Sequence, residues 1–380
     1  MKRLFCMVYG SNMGGVEKFL LKIFHNIDRE KYKMDFFFSG TRKNIYDDEI
    51  RQLGGRAFHG IYTKNNPIKA YYSYYKYIKN NNYDYVLVVA PHSLAALKLL
   101  IAKLAGAKIL AMRSSNTQIT GSRLSRVLNS VFFFLPQIVA NVKIAPSVAA
   151  GKFLFGDKCI LKRQVHILNN GIPLNEYRFN PEIRYKKRKE LNVTNEILFG
   201  HVGRFEEQKN HEYLIDVFAD ITKKIPKAKL ILIGDGVLKA EIIKKAKALN
   251  IYDHIIFTGI RNDVPHLLMA MDTLIFPSFY EGMPNVLIEA QGAGLPCLVA
   301  STITKECHVT NLVEFMDLSK PTTAWADNAI RLVQKFENND RTKYGEVLKN
   351  EGYDINDVTN EFVSLIFENE KMLHNKKNIV

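Results

Sequence analysis

Apolar residues along the chain fall in runs of four to eight, separated by longer segments in which they recur every three or four positions. The runs suit strands buried on both faces of a parallel sheet, and the longer segments suit helices that press one stripe against it. In the first half the pattern predicts strands near 3–8, 34–38, 84–90, 108–112, 141–145 and 164–168, with helices such as 16–26 and 94–104 between them. Turn formers then gather in Asn169-Asn170-Gly171-Ile172-Pro173-Leu174-Asn175, followed by the basic stretch 184–189. The alternation restarts with strands near 197–202, 229–233, 255–257, 272–276 and 296–299 and helices near 211–224 and 238–249. Helical spacing of Val358, Phe362, Leu365, Ile366 and Leu373 predicts a closing helix. The fold class is α/β, with two Rossmann-like, doubly wound halves: 1–175, 176–356, and a last helix over 357–380.

Length agrees with this division, since 380 residues exceed the roughly 100 to 200 of a typical domain. An apolar share of 47% and a charged share of 24% are ordinary globular values and exclude a mainly disordered or collagenous chain. Cys6, Cys159, Cys297 and Cys307 contain no CxxC pair, so the sequence suggests neither a disulfide framework nor a thiolate zinc site, and a reducing compartment fits. The apolar run before Gly10 is short for an export signal and reads as a first strand. The membrane-like stretch between Arg126 and Lys143 contains Asn129, Ser130, Pro136, Gln137 and Asn141 and falls short of the ~20 apolar residues needed to span a bilayer.

The net charge of +15 is unevenly placed. Residues 1–180 hold 27 Lys and Arg against 10 Asp and Glu, a balance of +17, which leaves −2 for the remainder. Such a field draws polyanions or an anionic membrane surface. Two segments interleave cations with aromatic rings: 69–79, with its tyrosines between Lys69, Lys76 and Lys79, and 113–134, where Arg123 and Arg126 precede Val131-Phe132-Phe133-Phe134. That pattern suits a lipid interface, and equally a solvated helix face whose rings cover the core.

Three motifs follow predicted strands, where ligands of open α/β sheets bind. The first, Gly10-Ser11-Asn12-Met13-Gly14-Gly15-Val16-Glu17, opens a helix; Gly14 and Gly15 would let a ligand approach backbone N–H groups at the positive end of the helix dipole. The spacing is neither GxGxxG nor a P-loop, and a plain tight turn is the alternative. In the second, Gly203-Arg204-Phe205-Glu206-Glu207-Gln208-Lys209-Asn210, Arg204 and Lys209 could neutralise a diphosphate, or be two surface cations. The third, Pro277 to Ala290, carries Glu281 in a loop and Glu289 about two turns into the next helix. The N–H groups of Gly282, Met283, Asn285 and Val286, flanking Pro284, are offered to a polar or anionic ligand. Glu289 sits in the apolar run Val286-Leu287-Ile288-Glu289-Ala290, where an uncompensated charge would be costly.

These residues resemble the retaining, nucleotide-sugar-dependent glycosyltransferases of the GT-B fold, family 4, and in particular the bacterial capsule and exopolysaccharide branch. The resemblance rests on Gly14-Gly15-Val16-Glu17, Ala145-Pro146-Ser147-Val148-Ala149-Ala150, Asn170-Gly171-Ile172, Gly203-Arg204 with Lys209, and Glu281 to Glu289 followed by Gly294-Leu295-Pro296. It implies a nucleotide diphosphate held in a cleft between the halves by Arg204 and Lys209, with help from the Gly15 amide. Glu289 would accept hydrogen bonds from the ribose, Glu281 and the backbone from Gly282 to Asn285 would hold the donor sugar, and Ile260 and Arg261 are placed like the base-contacting loop. His92 is placed like the family's sugar-contacting histidine; its bland alternative is a neighbour of a helix N-cap. The histidine-bearing loop of many relatives reads Arg113-Ser114-Ser115-Asn116 here, which leaves Arg113 and Asn116 as acceptor or phosphate contacts. Likewise Ser301-Thr302-Ile303-Thr304-Lys305-Glu306 stands where many relatives carry a glycine pair.

The activity so implied is transfer of a hexosyl unit, from a UDP-sugar, to a lipid-linked or growing cell-surface glycan, with retention and on the cytoplasmic face of an anionic membrane. No metal or other cofactor is expected, because the DxD motif of the other large glycosyltransferase fold does not occur. Two further readings stay open at this level. A nucleotide-sugar 2-epimerase of the same fold would act on the donor alone. A basic nucleic-acid-binding protein would explain the charge, but gives Glu281 and Glu289 nothing to do.

Overall fold

The structure, a computed structural model, describes residues 1–8, 15–40, 43–63, 65–115 and 123–368, with the backbone alone for Gly15, Val16 and 123–125. Two compact units divide the chain: Met1–Gly171 together with the segment from Asp354, and Ile172–Tyr353.

The first unit is built on a seven-stranded parallel sheet. Its strands are β1 (Lys2–Val8), β2 (Tyr32–Ser39), β3 (Ala57–Gly60), β4 (Tyr85–Ala90), β5 (Ile109–Ser114), β6 (Val142–Ala145) and β7 (His166–Ile167), in the order β3-β2-β1-β4-β5-β6-β7. Successive side chains of a strand point to opposite faces, and each face here has its own core. Leu4, Cys6 and Val8 of β1 pack with Phe19, Leu20, Ile23 and Phe24 of the helix Gly15–Asn26. Phe5 and Met7 pack on the other side with Tyr74, Ile78 and Leu99. The closing helix Ile355–Val363 and the turn after it join the first of these cores through Ile355, Val358, Phe362, Ile366 and Phe367, and Phe367 stacks on Tyr32 at 4.6 Å between ring centroids.

The second unit repeats the scheme with six parallel strands: β8 (Leu198–Val202), β9 (Lys229–Ile233), β10 (Ile255–Gly259), β11 (Thr273–Phe276), β12 (Cys297–Ala300) and β13 (Val313–Met316), ordered β10-β9-β8-β11-β12-β13. In both sheets the order reverses beside the first strand, between β1 and β4 and between β8 and β11, the switch points where loops diverge and open a binding crevice. Close packing at the second switch point needs glycine: a Cβ on Gly200 of β8 would lie 2.2 Å from the Met271 sulfur. Among the described residues no helix is long and apolar enough to cross a membrane.

Candidate functional site

The loops that leave β8 and β11 are neighbours because those strands pair. They are also laced together: Phe279 N donates to Gln208 O at 2.9 Å, Gln208 Nε2 to Tyr280 O at 2.8 Å, and Asn210 Nδ2 to Pro277 O at 3.2 Å. This holds the second and third sequence motifs in one place. Lys209, ending a single 3-10 turn, forms an ion pair with Glu281, Nζ to Oε1 2.5 Å, both side chains mostly buried. Arg204 extends toward solvent and pairs with Glu206 at 2.8 Å. Backbone bonds from Gly203 to Ile233 and from Phe205 to Asp235 fix this loop to the end of β9. Gly234 permits that approach, since at φ +140° its Cβ would stand 2.0 Å from the Gly203 carbonyl oxygen.

Beneath Lys209 lies an aromatic column that the sequence pattern hid inside an ordinary strand and helix start. The ammonium is 5.1 Å from the Phe276 ring centroid, Phe276 stacks on His201, His201 meets His211 edge to face at 4.7 Å, and His211 stacks on Phe205 at 4.2 Å. Both histidines are buried. His201 Nδ1 donates to the Ile275 carbonyl at 2.9 Å, which fixes the tautomer and leaves Nε2 as an acceptor. Burial pushes the His201 pKa down to about 4 and, with His201 and Lys209 adding to it, that of His211 to about 2. The column is therefore neutral at physiological pH and puts no second positive charge beneath the Lys209 ammonium.

The helix Asn285–Gly292 begins directly after Pro284, later than the apolar pattern predicts, so Glu289 stands in its second turn and not two full turns in. Its carboxylate accepts a hydrogen bond from the Tyr177 hydroxyl, and burial together with that carboxylate pushes the tyrosine pKa up. Tyr177, from the short helix Leu174–Tyr177, carries no motif signal and was not foreseen. Gly282, Met283, Asn285 and Val286 are half-buried in the same loop and helix start, and Pro284 is buried. Ile260, after β10, is exposed, whereas Arg261 turns to Asp263 and Glu190, with bonds of 2.7 and 3.1 Å. Cations and carboxylates alternating at strand ends in this way can bind a phosphorylated, hydroxyl-rich ligand.

In the first unit Gly15 opens the helix after β1, while Gly14 and Asn116 lie outside the described residues. His92 follows β4 in extended backbone and caps a 3-10 turn without a side-chain bond to it. Burial, with Lys98 nearby, lowers its pKa. Lys98 itself is fully buried with its Nζ 5.1 Å from the Tyr74 ring centroid, and burial pushes its pKa down to about 7. Arg113, next to the end of β5, is buried and donates from Nη2 to Asn170 Oδ1 at 2.5 Å.

Comparison with known proteins agrees with this architecture. Residues 183–346 match the family described as Glycosyl transferases group 1. A Bacillus subtilis protein assigned by name to the glycosyltransferases, EpsF, is 31% identical over 336 residues, covering 87% of both chains. The UDP-Gal:alpha-D-GlcNAc-diphosphoundecaprenol alpha-1,3-galactosyltransferase of Escherichia coli is 26% identical across 80% of this chain and 82% of its own. Anabaena HepE, solved in complex with UDP, superimposes with a TM-score of 0.76 at 19% identity over 96% of this chain and 99% of that one, and the shared fold is GT-B. The chain belongs to the group 1 glycosyl transferases and is a transferase enzyme.

Proposed function

We propose that this enzyme moves a hexosyl unit from a UDP-sugar to a lipid-linked or growing cell-surface glycan, with retention of configuration and without a metal ion. The observation that carries the reading is the Lys209–Glu281 pair at the second switch point, flanked by Arg204 and by Glu289 with its Tyr177 anchor. Lys209 and Arg204 take the diphosphate, Glu289 the ribose hydroxyls, and Glu281 with the backbone from Gly282 to Val286 the sugar. Ile260 borders the base, on a loop braced by the Arg261–Asp263 pair. In the first unit Gly15 opens a helix, where its amide can meet a phosphate, and His92, kept neutral by its surroundings, can meet a sugar.

Transfer breaks the anomeric C–O bond, the electron pair leaving with the diphosphate. Preorganised cations and amides aimed at that charge supply the main stabilisation, about 3 kcal/mol per donor, which needs no metal. Support for the donor and acceptor classes comes from relatives: the E. coli enzyme uses UDP-Gal and a diphosphoundecaprenol-linked sugar by name, and HepE was solved with UDP. Support for a peripheral position on the inner face of the membrane comes from the helices Arg123–Val131 and Leu135–Val139 and the link between them, which expose Val127, Leu128, Val131, Phe134 and Ile138 on the basic unit.

The decisive experiment is a panel of UDP-, GDP- and ADP-sugars tested for binding and slow hydrolysis, with and without EDTA. UDP-sugar binding that survives the chelator supports the reading, and an absolute metal requirement or no nucleotide-sugar binding overturns it. The product anomer by NMR tests retention, and sedimentation with acidic liposomes tests the membrane.

A further inference from the structure

We propose that Arg113 is the cation of an anion-binding site in the N-terminal unit, built to take a phosphate group of a substrate. Arg113 is 2% exposed. Its guanidinium lies 4.0 Å from the Phe19 ring centroid and, among the described residues, makes one hydrogen bond, to the neutral Asn170. Its Nε has no partner, and among the described residues no carboxylate pairs with it. Asp35 and two other arginines held inside the protein are treated differently. Asp35 receives Arg3, Arg56 and the Tyr83 hydroxyl. Arg188 has Asp272 and three carbonyls. Arg341 places its guanidinium on the carbonyls of Leu268, Met269, Met271 and Ala293.

A guanidinium has five donors and stays protonated, so leaving it buried with one neutral partner is costly unless something anionic arrives. Burial pushes the Arg113 pKa down to about 9, which still leaves a cation at neutral pH. The residue stands at the carboxyl end of β5, paired with Val89 of β4, on the ligand-bearing edge of the sheet. Phe19 and Asn170 fix the plane of the guanidinium and leave its Nε–H without an acceptor, a donor that a phosphate oxygen can take. The chemical class is a phosphate ester or diphosphate. Its two sources are the donor nucleotide and the phosphate that links an acceptor to lipid; naming those sources rests on the function proposed above, whereas the anion site does not.

The test is thermal stability of wild type, Arg113→Met and Arg113→Lys, each also combined with Lys209→Ala to silence the cation of the second unit, with pyrophosphate, UDP and farnesyl diphosphate as probes. A pyrophosphate-induced rise in Tm that persists in Lys209→Ala, disappears with Arg113→Met and is partly kept by Arg113→Lys is expected. Arg113→Met without ligand should melt higher than wild type, because the uncompensated charge is gone. A UDP response lost with Arg113→Met assigns the group to the donor; a UDP response kept while the farnesyl diphosphate response is lost assigns it to the acceptor. Pyrophosphate responses that are indifferent to both Arg113 substitutions, or absent in the wild type, overturn the proposal. Should Arg113→Met not fold, pyrophosphate titration of Arg113→Lys by phosphorus NMR decides, with unchanged affinity as the negative result. Absence of UDP binding in wild type with the pyrophosphate response intact would remove the donor reading and leave the anion site standing.

Discussion

Lys209 and Glu281 hold each other at 2.5 Å across two loops, so the cation assigned to phosphate and the carboxylate assigned to sugar neutralise one another when no donor is bound. A diphosphate that reaches Lys209 must therefore displace or share its partner. Lys209→Ala should weaken UDP binding roughly 10- to 100-fold, the cost of one charge-assisted contact. Glu281→Gln should do the opposite, tightening UDP roughly three- to ten-fold by releasing the ammonium, while lowering turnover. Calorimetry with UDP beside steady-state kinetics separates the two, and equal losses of UDP affinity in both variants would refute the competition.

Tyr177 anchors Glu289 from a helix that no sequence motif marks. Removing only its hydroxyl, in Tyr177→Phe, should raise the donor KM by a factor of roughly 3 to 10, about 1 kcal/mol, and leave kcat near the wild-type value. An unchanged KM would show that Glu289 orients itself.

His201 and His211 supply an acid limb to stability. Their folded pKa values, about 4 and about 2, lie below the unfolded value of 6.5, so the unfolded chain binds more protons below that pH and stability falls as pH drops. By pH 4 each histidine should have cost up to about 3 kcal/mol. His201→Phe and His211→Phe should flatten the denaturation midpoint between pH 6.5 and 4, and a slope identical to wild type would contradict the neutral column.

Lys98 acts on the alkaline side. Its folded pKa of about 7 lies below the unfolded 10.5, so the unfolded state holds the extra proton between those values and this group's contribution to stability rises with pH through that window. Below it the charged form carries a penalty of a few kcal/mol. Lys98→Met should stabilise the protein at pH 7 and reduce the gain seen between pH 7 and 10, as read by urea midpoints across pH. A destabilised variant with an unaltered pH profile would show that the stem, not the charge, matters.

The long apolar runs were legible because a parallel strand buried on both faces has no polar positions to spare, as in β4 and β11. Two of the four edge strands escaped the same test, whereas β7 and β10 fall on predicted runs. β3, Ala57–Gly60, and β13, Val313–Met316, are four residues long, partly exposed and interrupted by His59 and Glu314. Within the site, Arg204, Lys209 and Glu281 announced themselves by charge in loops after strands, and Glu289 by its charge inside an apolar helical run. Tyr177 did not, since its meeting with Glu289 is made by the tertiary fold alone. Nor did His201, which reads as one more member of an apolar strand, or Lys98, which reads as a surface lysine on a helix.

The helix that follows Asp354 completes the core begun by β1, so the first unit is assembled from two segments far apart in sequence while the second is continuous. On the ribosome, Ile172–Tyr353 can finish folding as a self-sufficient body while Phe19, Phe24 and Tyr32 still wait for Phe362 and Phe367. The portion made first is thus the last to be sealed, and a premature stop near Tyr353 would spare the second unit but leave its older sibling with an open greasy flank for chaperones and proteases to find.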